Sequence, residues 1–156
     1  MEMKMKDDLE WSRLGMTIRT GTELQAARKA AAERFTAIAM RYVPEGYTVE
    51  WRKSLSGRHY GGAKLIQAPR PLTRKSLYIF LHECAHAHLH RDRRPKAHVR
   101  EMEAEKWAHE KMREHGIAVP RTMTRRAKQY VARKIRQAKR SGAKSIDPRA
   151  ARYAAE

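Results

Sequence analysis

Leu81-His82-Glu83-Cys84-Ala85-His86 is the stretch on which the reading of this chain turns. It sits inside a helical pattern in which Leu77, Leu81, Cys84, Ala85 and Leu89 share an apolar face, with His82 and His86 along its edge. Histidines four residues apart lie one above the other on a helix, so both imidazoles can reach one metal ion. Glu83 projects about 100° from His82, close enough to meet a metal-bound water without ligating the metal. Cys84 faces the core side and reads as a small packed hydrophobe.

Working toward the N-terminus, Thr73 is the expected N-cap of this helix and Leu72 its staple residue, after the break at Pro69-Arg70-Pro71. Before that break the pattern predicts two strands. Tyr47, Val49 and Trp51 alternate with Thr48, Glu50 and Arg52, and a second strand covers roughly Ala63 to Ala68 after a turn through Gly57 and Gly61-Gly62. Further back, Leu24, Ala27, Ala31, Phe35, Ile38 and Tyr42 recur at helical spacing, with Thr22 and Gln25 as a capping box and Pro44-Glu45-Gly46 as the stop. Residues 1–19 carry no convincing period and are expected to be a loose arm.

A catalytic zinc site needs a third protein ligand and one open position. His90 lies on the same stripe as His82 and His86, but eight residues of helix are a rise of about 12 Å. His88 falls on the apolar face, and Asp92 lacks the glycine turn that would bring it back. The next predicted helix, Ala97 to His115 closed by Gly116, offers a better candidate. Glu101, Ala104, Ala108 and Met112 form its inner face, and the two alanines permit close approach to the histidine helix. Glu101 is therefore expected to point inward as the ligand and Glu103 outward. Glu105, one turn on, could accept a hydrogen bond from a ligand imidazole. His98 is the reserve ligand, and the competing reading of the stretch is an exposed face paired with Arg100, Lys106 and Lys111.

The order helix, two strands, Pro-rich break, His82-Glu83-Cys84-Ala85-His86 and then Glu101-Met-Glu-Ala-Glu-Lys-Trp-Ala108 resembles a compact zincin metallopeptidase. The second stretch is similar to the glutamate helix of gluzincins, above all the ImmA/IrrE type. That resemblance implies an α+β minimal zincin core over residues 20–118, one zinc per chain, Glu101 as third ligand and Glu105 behind the ligands. Only 14 residues separate His86 from Glu101, a spacing similar instead to SprT-type peptidases, whose third ligand is a histidine. It further implies a zinc-activated water, Glu83 as general base, and a donor from Tyr60, His109 or Tyr130 to the developing oxyanion. The strand Ala63–Ala68 would be the edge on which a peptide substrate pairs.

Charge adds a second theme. The chain carries 35 Lys+Arg against 17 Asp+Glu, a net charge of +18, and residues 119–156 hold +10 of it. This segment reads as a basic helical extension. Ala127, Tyr130, Val131, Ile135 and Ala138 give it an apolar face, and Asp147-Pro148 starts a last short helix. Arg125, Arg126, Arg133, Arg136, Lys139 and Arg140 are expected to contact DNA or RNA phosphates rather than bases. The substrate would then be a DNA-associated protein, and the competing class is a nucleic-acid-binding protein with a structural or vestigial zinc site. No apolar run approaches the ~20 residues of a membrane span. A single cysteine and no visible secretory signal suit a protein of the cytoplasm, free or nucleoid-associated.

Overall fold

The computed structural model describes residues 20–156, so the loose arm expected over residues 1–19 lies outside the described residues. Its architecture is α+β: five helices and a three-stranded mixed sheet. In chain order these are α1 (Gly21–Arg41), β1 (Thr48–Arg52), β2 (Arg58–Tyr60), β3 (Leu65–Pro69), α2 (Arg74–Leu89), α3 (Ala97–Glu114), α4 (Arg121–Arg140) and α5 (Pro148–Ala155). Residues 1–31 and 32–156 form separate compact units. Of the first, the described part is the start of α1. Its capping box is made by Thr20 and Glu23, not by Thr22 and Gln25 as the sequence suggested. Both pairs fit the pattern, but only Glu23 brings a carboxylate to the positive end of the helix.

Within residues 32–156, β3 is the central strand. It pairs in parallel with β1, Val49 opposite Ile66 and Trp51 opposite Ala68, and antiparallel with β2, His59 opposite Ile66. Ile66 and Ala68 are fully buried. The sequence predicted two strands and made residues 63–68 the edge; the edge on this side is β2, three residues too short for an alternating pattern to reveal.

Thr73 caps α2 as expected, accepting from the Ser76 N–H, while Leu72 stays exposed and makes no staple. Helix α2 is buried on nearly every side. Leu77, Phe80, Leu81, Cys84 and Ala85 are inaccessible, enclosed by the sheet on one flank and α3 on the other. Ala104, Ala108 and Met112 of α3 are likewise fully buried, the close approach that the small residues allow. Gly116, at φ +67°, ends α3 in the left-handed conformation that favours glycine.

Helix α4 begins three residues earlier than the expected Thr124, because Met123 joins Ala127, Val131 and Ile135 on its buried face. Val131, Ile135, Ala150 and Tyr153 pack with Val99 and Met102 of α3 as one cluster. Asp147 caps α5, accepting from the Arg149 N–H, with Pro148 at the first position as predicted. Among the described residues, no helix is long and apolar enough to cross a membrane.

Candidate metal centre

Helices α2 and α3 bring His82, His86 and Glu101 together, and this group could hold a metal ion. Glu101 Oε2 lies 3.3 Å from His82 Nε2 and 3.4 Å from His86 Nε2, and the two imidazole nitrogens are 3.1 Å apart. All three side chains are buried or nearly so. Burial works to raise the Glu101 carboxyl, but hydrogen bonds from His82 and His86 outweigh it and hold it far below the usual carboxylate range.

The opposite nitrogens of both rings face further polar groups. Glu105 Oε1 approaches His82 Nδ1 to 3.2 Å, at an angle too poor for a hydrogen bond, so this buried nitrogen has a carboxylate neighbour but no formal acceptor. Tyr78 donates its hydroxyl to the other Glu105 oxygen. Burial pushes the Glu105 carboxyl up to about 8. His86 Nδ1 contacts His90 Nδ1 at 3.1 Å, and His90 Nε2 contacts Glu103 Oε2 at 3.0 Å, where Arg93 also donates. With Glu103 as the terminal acceptor, His90 carries its proton on Nε2 and accepts on Nδ1. A His86 that donates from Nδ1 along this chain is the tautomer whose Nε2 can ligate a metal in place of donating to Glu101.

Two expectations need correcting here. Glu103 does not point outward into solvent: it turns back, partly buried, to meet His90 and Arg93. His98 does not reach the centre. It is fully buried and its Nε2 accepts from the Asp147 N–H at 3.2 Å, tying α3 to the start of α5. His88, near the helix end, is exposed and reaches the Tyr42 carbonyl at 2.8 Å.

Glu83 lies beside the triad, 7% exposed. Burial raises its carboxyl to about 7, with His86 and Arg52 opposing and Glu101 assisting. The backbone of Gly57 presses on it so closely that a Cβ there would stand 2.5 Å from Glu83 Oε1 and 2.7 Å from its Cδ. Nothing in the sequence marked this glycine beyond its place in a turn. His59 of β2 was also missed. Its ring stacks near His86, centroids 6.2 Å apart, and its Nε2 meets the Tyr47 hydroxyl at 3.1 Å. Burial, with His86 and His90 adding, lowers it to about 4.

Two cavities, of about 700 and 660 Å³, open on the centre and share Gly57, His82, Glu83 and Tyr130 in their walls. Of the three candidate oxyanion donors, Tyr130 stands at this junction. Tyr60 lines only the first cavity, and His109 packs edge-on against Tyr78 outside both. Arg126, Arg133 and Arg136 line the second cavity, whereas Arg125, Lys139 and Arg140 are exposed outside both. Comparison of the chain with protein-family models, curated proteins and solved structures finds no match.

Proposed function

We propose that this chain is a zinc-dependent metallopeptidase, with His82, His86 and Glu101 as the zinc ligands and Glu83 as the general base. The observation that carries the reading is the spacing of the three donor atoms, 3.1–3.4 Å from one another. Zinc bonds of ~2.0–2.1 Å at tetrahedral angles put ligand atoms ~3.3 Å apart. Two nitrogens and one carboxylate oxygen are also a donor set suited to zinc, and three protein ligands leave the open position that catalysis requires. Helix, sheet, histidine helix and glutamate helix follow one another in the order that the zincin resemblance implies. Glu101 in the triad favours the glutamate-ligand type over the SprT type.

Zinc held there would polarise the scissile carbonyl and make its bound water acidic near neutral pH. The chain's own groups supply the rest. Glu83 accepts a proton from the attacking water and delivers it to the leaving amine. Glu105, near His82 Nδ1, and the His90–Glu103 pair behind His86 orient the two imidazoles. Tyr130 can donate its hydroxyl to the carbonyl oxygen as charge develops on it.

A structural site would be closed by a fourth protein ligand. The two histidines that could have served are engaged elsewhere, His90 with His86 and Glu103 and His98 with Asp147. That speaks for the open, catalytic reading. The test is a pair of measurements on purified protein. Zinc content should be about one per chain, fall sharply in His82→Ala, His86→Ala or Glu101→Ala, and persist in Cys84→Ser. Glu83→Gln should keep zinc and fold but lose peptide hydrolysis. Stoichiometric zinc in the His82/His86 double variant, or normal hydrolysis by Glu83→Gln, would refute the proposal.

A further inference from the structure

The two cavities that meet at Glu83 and Tyr130 form one cleft with two arms, and both arms are walled by cations. Arg91, Arg94 and Arg100 line the first arm, joined by Arg58 and Lys64 near β2. Arg126, Arg133 and Arg136 of α4 line the second. Among the described residues, the carboxylates in these walls are Glu83, which both arms share, Glu101 in the first and Glu105 in the second, the latter two in contact with His82. Among the described residues, Lys64, Arg91, Arg94, Arg126, Arg133 and Arg136 take part in no salt bridge, and Arg100 reaches only Glu101, at 3.7 Å. Unpaired cations lining a concave wall focus a positive potential into it.

Resting on the peptidase reading above, we propose that the cleft selects an acidic peptide segment, with Asp or Glu side chains on both sides of the bond presented to Glu83. Beyond the four residues they share, the arms have different walls, β2 and the α2–α3 turn in one and α4 in the other, so each can meet one flank of an extended chain. Alternate side chains of such a chain face the same wall. Leu55, Ile79 and Met123 lie among the arginines of the second arm, which suits one apolar residue among the acidic ones. A peptide fits better than a nucleic acid because β2 borders the first arm as an edge strand. Its open main-chain groups can pair with a peptide backbone but not with sugar and phosphate.

The full-length, zinc-loaded protein is assayed on quenched-fluorescence peptides that differ only in their flanks: Glu or Gln, on the N-terminal side, the C-terminal side, or both. The doubly acidic peptide is expected to show kcat/KM about tenfold above its Gln counterpart, the sum of a few exposed ion pairs, carried by KM. The gap should narrow as salt rises from ~0.05 to ~0.5 M. Arg91→Glu with Arg94→Glu should erase the preference on one flank, and Arg133→Glu with Arg136→Glu on the other. Equal cleavage of Glu and Gln peptides, or both double variants acting on the same flank, overturns the inference while the peptidase reading stands. Should no peptide be cut, the peptidase reading falls. Fluorescence anisotropy of the same peptides on zinc-loaded Glu83→Gln then decides the charge preference, and equal affinity for Glu and Gln peptides overturns it. An oligonucleotide that binds this variant more tightly than the acidic peptide, and is released by the same arginine reversals, overturns it in favour of nucleic acid.

Discussion

Gly57→Ala is the sharpest way to separate positioning of the base from the binding of metal. The Glu83 side chain occupies the space beside Gly57, and an added Cβ would stand 2.5 Å from Oε1 and 2.7 Å from Cδ, where ordinary contact begins at 3.4 Å. Glu83 must therefore retreat by ~1 Å or the loop must lift by as much. Neither movement is free, since Glu83 is enclosed at 7% exposure and the loop leads directly into β2. A misplacement of ~1 Å at a reacting group can cost about a hundredfold in rate, or roughly 2.7 kcal/mol in the activation barrier. We expect kcat to fall by about that factor on a quenched-fluorescence peptide. Zinc content and melting temperature should stay near wild type, because the three atoms nearest the new methyl group all belong to Glu83 and none to His82, His86 or Glu101. In a Glu83→Gln background the same change should do almost nothing further, since two variants acting through one group do not add. Wild-type kcat in Gly57→Ala would refute the reasoning, as would an undiminished effect of Gly57→Ala in the Glu83→Gln background.

Other outcomes follow from the same geometry. Tyr130→Phe keeps the ring over which Arg133 stacks, 4.9 Å from its centroid, and removes only the hydroxyl; kcat should drop about a hundredfold with KM little changed, and unchanged kcat would remove Tyr130 from the oxyanion role. Burial, followed by repulsion from Arg113 and Lys128, lowers the His109 pKa below its usual 6.5. Its neutral form is thus favoured in the fold, so its contribution to stability is fully present above pH 6.5 and is lost as pH falls through the lowered value. His109→Phe, which keeps the edge-on packing against Tyr78, should make urea stability less sensitive to acidification from pH 7 to pH 5; an unchanged slope would count against it. Ile135→Ala removes a side chain 8% exposed in the α3–α4–α5 cluster and should cost about 2–5 kcal/mol by urea denaturation.

How much of this was legible follows from the range over which each signal acts. His82, Glu83, His86 and Glu101 were readable because the helical period alone decides which side chains share a face, and two alanines announce a close approach. The caps at Thr73, Asp147 and Gly116 are equally local. β2 was not readable: Arg58-His59-Tyr60 is too short to show alternation, and only pairing with β3 makes it a strand. His59 went unseen with it, and residues 63–68 were wrongly given the edge. The His90–Glu103 contact forms because the chain turns between α2 and α3, and helical spacing beyond His90 says nothing once the helix has ended. Gly57 gave no signal at all. Its importance is the absence of a side chain where a distant residue needs the space.

The basic segment illustrates the same limit in another form. Read as a sequence, it lies beyond the helix that supplies Glu101 and invites removal as a unit. In the fold, Val99 and Met102, on either side of Glu101, are covered by Val131, Ile135, Ala150 and Tyr153. Ending the chain after Ala118 would uncover that face of α3, and each Val, Ile or Met side chain re-exposed forfeits about 1.5–3 kcal/mol. The third ligand would then sit on a helix with one flank bare. Loss of zinc on truncation would therefore report the loss of α3's support and say nothing about what the arginines bind. Charge can be separated from packing only on the other face of α4, where Arg126, Arg133 and Arg136 are exposed along the cleft while Met123, Ala127, Val131 and Ile135 hold the helix down. One helix thus closes the core with one face and lines the second cavity with arginines on the other. On the proposed reading, substitutions on its buried face should change whether zinc is held, and substitutions of its arginines should change which peptides are cut.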